Sequence, residues 1–245
     1  MLNNLSEKSI IDAAETGLMN YFDELGLQAT VSWDFVRFRE LVSSHYGWVN
    51  PTVDYTCRPI HPASFWVGLT DAAGHFVAFK SYAYFDSGDF EGLFRNGELF
   101  WSPDKRPDDF SRMGQVHSLS RFVPAPFTHA GSQWTDRNWR DLYLAHYLTV
   151  LSRLVTLRYL DVKFFTGCIL DEIKTRTVPN QGYDYPEDGI NLLLKGYSPH
   201  AKKMVTLYGC HMERNVAVAR LAGRIMPRPP AAPAKPSVVQ AHAQS

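Results

Sequence analysis

A run of small and polar residues, Thr128-His129-Ala130-Gly131-Ser132-Gln133-Trp134, precedes a long apolar helical pattern that opens at Thr135 and Asp136. Gly131 permits close backbone approach. Ser132, Gln133 and Thr135 add hydrogen-bond donors, and Thr135 is the expected helix N-cap. A loop that opens a helix presents unpaired N–H groups and the positive dipole end, a combination that binds phosphate without a cationic side chain. A plain strand-to-helix turn with a capped start is the competing reading. His117, on the expected strand before this loop, is of a type that exchanges a proton near neutral pH, although a lone strand histidine is more often structural.

Other chemistries find less support. His117 and His129 are twelve residues apart, and His211 and Glu213 fall on differing faces of an expected helix, so no metal site is expected. Cys57, Cys168 and Cys210 form neither a disulfide framework nor a CxxC pair. Cys168 has no locally placed histidine to activate it. Walker, GxSxG and GxGxxG patterns are absent from the sequence.

The elements that must position these residues follow from periodicity. Leu5 to Phe22 reads as an amphipathic helix capped by Ser6 and ended by Gly26, and a second helix is expected over 32–44. The stretch FWVGLTDAAGHFVAFKSYAYF reads as an antiparallel hairpin around Asp71 to Gly74. Further strands are expected at 97–101, 115–123, 162–166, 190–194 and 204–208. Trp139 to Leu154 form the face of a long helix buried on more than one side. Short helices are expected near 168–174 and 211–221.

The 245 residues carry 25 Lys+Arg against 25 Asp+Glu, with 45% hydrophobic residues. This balance creates no field favouring nucleic acid or an anionic membrane, and the interspersed acids around Arg106, Arg112 and Arg121 argue further against nucleic acid. No apolar run reaches the ~18 residues of a membrane helix. The start has no basic region followed by an apolar stretch, so a soluble, cytoplasmic protein is expected. Residues 1–226 read as one domain. The Pro/Ala-rich stretch 227–245 reads as a disordered tail, with a protein-docking segment as the alternative.

The order of these elements, with the hairpin and the strand-loop-helix HSLSRFVPAPFTHAGSQW, resembles the GNAT-like acyl-CoA N-acyltransferase superfamily. In that family a strand ends in a pyrophosphate loop of pattern Arg/Gln-x-x-Gly-x-Gly/Ala at a helix N-terminus, and the pantetheine arm runs beside a splayed strand. Gly131 matches the central glycine. Thr128 stands where Arg or Gln is usual, and Gln133 where Gly or Ala is usual. The resemblance implies an α/β fold with a mixed, mostly antiparallel central sheet flanked by helices. It also implies a coenzyme A thioester as co-substrate and acyl transfer to an amine, with cofactor contacts along His129, Gly131, Ser132, Gln133, Trp134 and Thr135. Tyr208, at the end of a late strand, is the acid that the resemblance implies by position. A non-catalytic ligand-binding or adaptor protein on the same fold is the alternative.

Overall fold

The computed structural model describes residues 6–107, 123–170, 191–194 and 205–223. His117, the expected loop 178–189 and the tail 227–245 lie outside the described residues.

Helix α1 (Glu7–Glu24) starts where the Ser6 hydroxyl accepts the Ser9 N–H at 3.2 Å. Its buried side chains Ile11, Leu18, Tyr21 and Phe22 recur at helical spacing. It stops at Gly26, whose φ of 68° is left-handed. The Leu27 N–H then reaches back to the Phe22 carbonyl and the Gly26 N–H to Asp23. This Schellman arrangement satisfies the last carbonyls and turns the chain back onto the core. Strand β1 (Gln28–Ser32) follows. It was not expected, because five mixed residues between two helical patterns carry little periodic signal. Helix α2 (Phe35–Tyr46) is capped by Asp34, which accepts the Arg37 N–H, and it buries Phe35, Phe38 and Val42.

The expected hairpin forms β2 (Phe65–Thr70) and β3 (Phe76–Phe85), with Val67 opposite Lys80 and Leu69 opposite Ala78. The expected strand at 97–101 does not form. Helix α3 (Phe90–Arg95) precedes a tight turn in which the Phe100 and Trp101 N–H groups both bond the Gly97 carbonyl. Leu99, Phe100 and Trp101 are buried in succession, a pattern no one-sided strand can produce, and both edges of β3 are already paired.

Strand β4 (Phe127–Thr135) occupies the expected phosphate loop. It pairs antiparallel with β3, with Phe85 opposite Phe127 and Lys80 opposite Gln133. Thr135 is therefore a strand terminus and not a helix cap. Asp136 accepts the Asn138 N–H at 2.8 Å and caps a short 3-10 turn, Arg137–Leu142. Helix α4 (Leu144–Tyr159) begins after Tyr143, which has a left-handed φ of 55°. Strand β5 (Phe164–Leu170) lies parallel to β4. It includes Cys168, where a short helix was expected; residues 171–174 lie outside the described residues. Strands β6 (Asn191–Leu194) and β7 (Val205–Glu213) and helix α5 (Arg214–Gly223) complete the order. His211 to Glu213 thus belong to β7 rather than to the last helix.

The seven strands order as β1-β2-β3-β4-β5-β7-β6, with β4–β5 the parallel pair and every other pair antiparallel. Helices cover both faces. One core joins α1, α4 and α5 to Phe65, Val67, Tyr82 and Phe165, and the other joins α2 and α3 to Trp66, Phe79, Phe85 and Phe127. The expected fold class, a mixed and mostly antiparallel sheet flanked by helices, is the one observed.

Candidate functional site

The β4–α4–β5 segment is a parallel crossover. Ligands in α/β sheets favour the carboxyl ends of such strands, where a helix N-terminus also lies. Four residue pairs join β4 to β5, from Phe127–Phe164 to Ala130–Gly167. Beyond them the strands part. β4 continues to Thr135 along β3, and β5 continues to Leu170 along β7. The opening between them points towards the end at which α4 begins, because α4 is the return segment of the crossover. No side chain caps that helix start.

A bulge sits where the strands part. Ser81 alone on β3 faces Gly131 and Ser132 on β4, since Lys80 pairs with Gln133 and Tyr82 with Ala130. The Ser81 hydroxyl donates to the Ser132 carbonyl at 3.3 Å. A Cβ at Gly131 would lie 2.7 Å from both Ser81 Oγ and Val53 Cγ1. The glycine thus serves close packing against Ser81 and Val53 inside a strand, where close approach to a phosphate in a loop was expected. Bulges bend a strand and re-aim its neighbours, and they gather beside functional sites.

The face under α4 holds a buried polar group. Lys80, 1% exposed, donates from Nζ to Thr149 Oγ1 at 2.8 Å, and Thr149 in turn donates to the Ala145 carbonyl. Burial, reinforced by the nearby Arg153 guanidinium, holds the ammonium well below its ordinary pKa. Cys210, on β7 opposite Gly167, donates its thiol to that residue's carbonyl at 3.3 Å, at the point of parting. Burial raises its pKa to about 12 and raises that of Cys168 well above the usual thiol value. Both therefore stay thiols at neutral pH, a poor state for a nucleophile.

The residues singled out from the sequence fall as follows. His129 points into the second core. It stacks at 5.6 Å on Phe90, and its Nδ1 lies 2.9 Å from Thr166 Oγ1. The Thr166 hydroxyl gives its hydrogen to the Thr128 carbonyl, so the network assigns the imidazole proton to Nδ1. Burial, with the Arg58 charge nearby, pushes the His129 pKa down to about 3. Gly131 and Ser132 form the bulge. Trp134 stacks on Phe79 at 5.3 Å and meets the His45 ring at 4.3 Å. Gln133 and Thr135 lie on the stretch of β4 beyond its pairing with β5. Tyr208 sits on β7 opposite Ile169, two positions past Gly167, and so beside the parted stretch of β5.

A second concavity was not anticipated. A cleft of about 500 Å³ opens beside the end of β3 and is lined by Arg58, His61, Tyr84, Asp86, Glu98 and Trp101, among others. His61 Nδ1 accepts the Ala63 N–H at 3.0 Å, which leaves the Nε2 proton facing Asp86 Oδ2 at 3.5 Å. By register this cleft lies at the Phe85–Phe127 end of β4, away from the stretch that parts from β5. Its residues come from three separated segments, which spacing along the chain could not bring together. Lys80 did carry a signal: it is the lone charge in the apolar strand FVAFKSYAYF.

No protein-family model and no curated protein matches the chain. Among solved structures it is similar to a "putative phosphinothricin N-acetyltransferase" (TM-score 0.40, 15% identity, 76% of this chain and 98% of that one). It is also similar to a "putative acetyltransferase" from Acinetobacter baylyi ADP1 (TM-score 0.39, 11% identity, 76% and 92%).

Proposed function

We propose that the protein is an acyltransferase that moves an acyl group from a coenzyme-A-type thioester to an amine. The observation that carries this reading is the parting of β4 from β5 beyond Ala130 and Gly167, next to the bulge at Gly131. The parted β4 stretch, Gly131 to Thr135, offers extended backbone to a pantetheine-like amide chain. The start of α4, with no side-chain cap, offers N–H groups and a positive dipole end to the diphosphate. This transfers the expected phosphate role from the 131–134 loop to the helix start across the opening.

In the proposed reaction the amine nitrogen attacks the thioester carbonyl carbon. The C–S bond breaks, the sulfur takes a proton from Tyr208 or water, and the nitrogen gives one up to water or to a base. His117 is the sequence candidate for that base. His129 is held neutral with its proton on Nδ1, so in this reading it shapes the β4 wall through Thr166 rather than carrying charge. Most of the rate would come from holding the two reactants in contact. Residues 227–245 would lie outside the reacting domain.

A thermal-shift titration of the full chain with coenzyme A, acetyl-CoA and a long-chain acyl-CoA tests the reading. A thioester near 100 times its Kd should add about 2.7 kcal/mol to the folded state. An amine should then release free thiol. Binding without thiol release would leave a non-catalytic binding protein, and no shift with any thioester would sink the assignment.

A further inference from the structure

Among the described residues, the cleft beside β3 contains two opposite charges that no ion pair engages. The Arg58 guanidinium lies over the Phe85 ring, 4.2 Å from its centroid, and donates from Nη1 to the Leu99 carbonyl at 3.1 Å. Burial lowers its pKa to about 10, so it is a cation at neutral pH. Among the described residues no carboxylate pairs with it. Glu98 precedes the residue whose carbonyl anchors Arg58, and both residues line the cleft. Among the described residues no hydrogen bond or ion pair engages the Glu98 carboxylate. His61 and Asp86 face each other at 3.5 Å, so the Asp86 carboxylate has a polar neighbour where Glu98 has none among the described residues.

A part-buried cation and a carboxylate that line one cleft, neither with an ion-pair partner among the described residues, favour a ligand that brings both opposite charges. A simple anion would neutralise Arg58 but meet Glu98 and Asp86. A simple amine would leave Arg58 as it is. The remaining walls are aromatic, with Tyr84 half-buried and Trp101 7% exposed. The cleft volume of about 500 Å³ lies within the range of small-molecule sites.

We propose that this cleft binds a zwitterion of the α-amino-acid type, its carboxylate on Arg58, its ammonium on Glu98 and an apolar or aromatic side chain against Tyr84 and Trp101. The site does not depend on the acyl-transfer reading, and its test needs no thioester.

The test is calorimetric titration of the full chain with L-phenylalanine, with phenethylamine, which lacks the carboxylate, and with 3-phenylpropionate, which lacks the amine. L-Phenylalanine should bind at least about tenfold tighter than either analogue, the least that a charge-assisted hydrogen bond provides. Glu98→Gln should erase its advantage over 3-phenylpropionate. Arg58→Met should erase its advantage over phenethylamine while leaving phenethylamine binding intact, which also verifies that the variant is folded. If Arg58→Met does not fold, Glu98→Gln alone decides. No binding by L-phenylalanine, equal binding by either analogue, or L-phenylalanine binding unchanged in Glu98→Gln would overturn the proposal.

Discussion

His129 has a measurable consequence at the residue scale. Its pKa is about 3 in the folded chain against 6.5 for an unperturbed imidazole. The unfolded state therefore binds the extra proton between those values, and stability rises with pH across that window. Read downward, each pH unit below 6.5 costs about 1.4 kcal/mol until the folded group titrates. Urea midpoints measured from pH 7 to pH 4 should fall, and His129→Gln should flatten the curve. Lys80 has the same sign at the alkaline end. Its depressed folded pKa makes stability rise with pH up to about 10.5, the ordinary lysine value. Lys80→Met should remove that rise. Thr149 retains its bond to Ala145, so its hydroxyl is not orphaned. Gly131→Val tests close approach: the new side chain meets Ser81 and Val53 at 2.7 Å. A loss of roughly 1–3 kcal/mol by denaturant titration is expected from overpacking, together with loss of any thioester-induced shift.

At the scale of elements, α4 determines how the site is held. It is buried along nearly its whole length, and its hydroxyl side chains bond back to its own carbonyls. Thr149, Ser152 and Thr156 each donate to the carbonyl four residues earlier. Its far end is secured by α5. Arg214 donates to the Leu157 and Leu160 carbonyls at 2.9 and 3.1 Å and reaches Glu7 on α1 at 2.6 Å. These are the carbonyls that a helix leaves unpaired at its C-terminus. Arg214→Ala should cost about 1–3 kcal/mol, because part-buried acceptors lose a charged donor. Glu7→Gln, which touches only the exposed arm of the network, should cost less than about 1 kcal/mol. Thermal melts of the two variants separate the contributions.

For the whole molecule, the sheet brings the two proposed sites to opposite ends of β4. The parted strands open at its carboxyl end and the charged cleft lies near its start. A ligand at one should therefore protect its own region. Hydrogen exchange with a thioester should slow amides in β4 beyond Ala130 and at the start of α4. Exchange with L-phenylalanine should instead slow those around Arg58, Tyr84 and Glu98. Among the described residues no helix is long and apolar enough to cross a membrane.

The elements whose signals are local were legible along the chain. Ser6 and Gly26 bound α1, the turn after Thr70 joins β2 to β3, and the apolar run after Trp139 builds a helix buried on several sides. Each depends on caps, turn chemistry or periodicity within a few residues. The remaining features depend on partners far away in the chain. Thr128 to Thr135 has the small and polar composition of a loop, yet β3 and β5 supply strand partners that satisfy its backbone. Leu99 to Trp101 has the composition of a strand, yet no free edge remains beside β3 to receive it. The parting of β4 from β5, the bulge at Gly131 and the gathering of Arg58 and Glu98 around one cleft are relations between distant segments. No local pattern encodes them, because their stability comes from partners that the chain reaches only by folding.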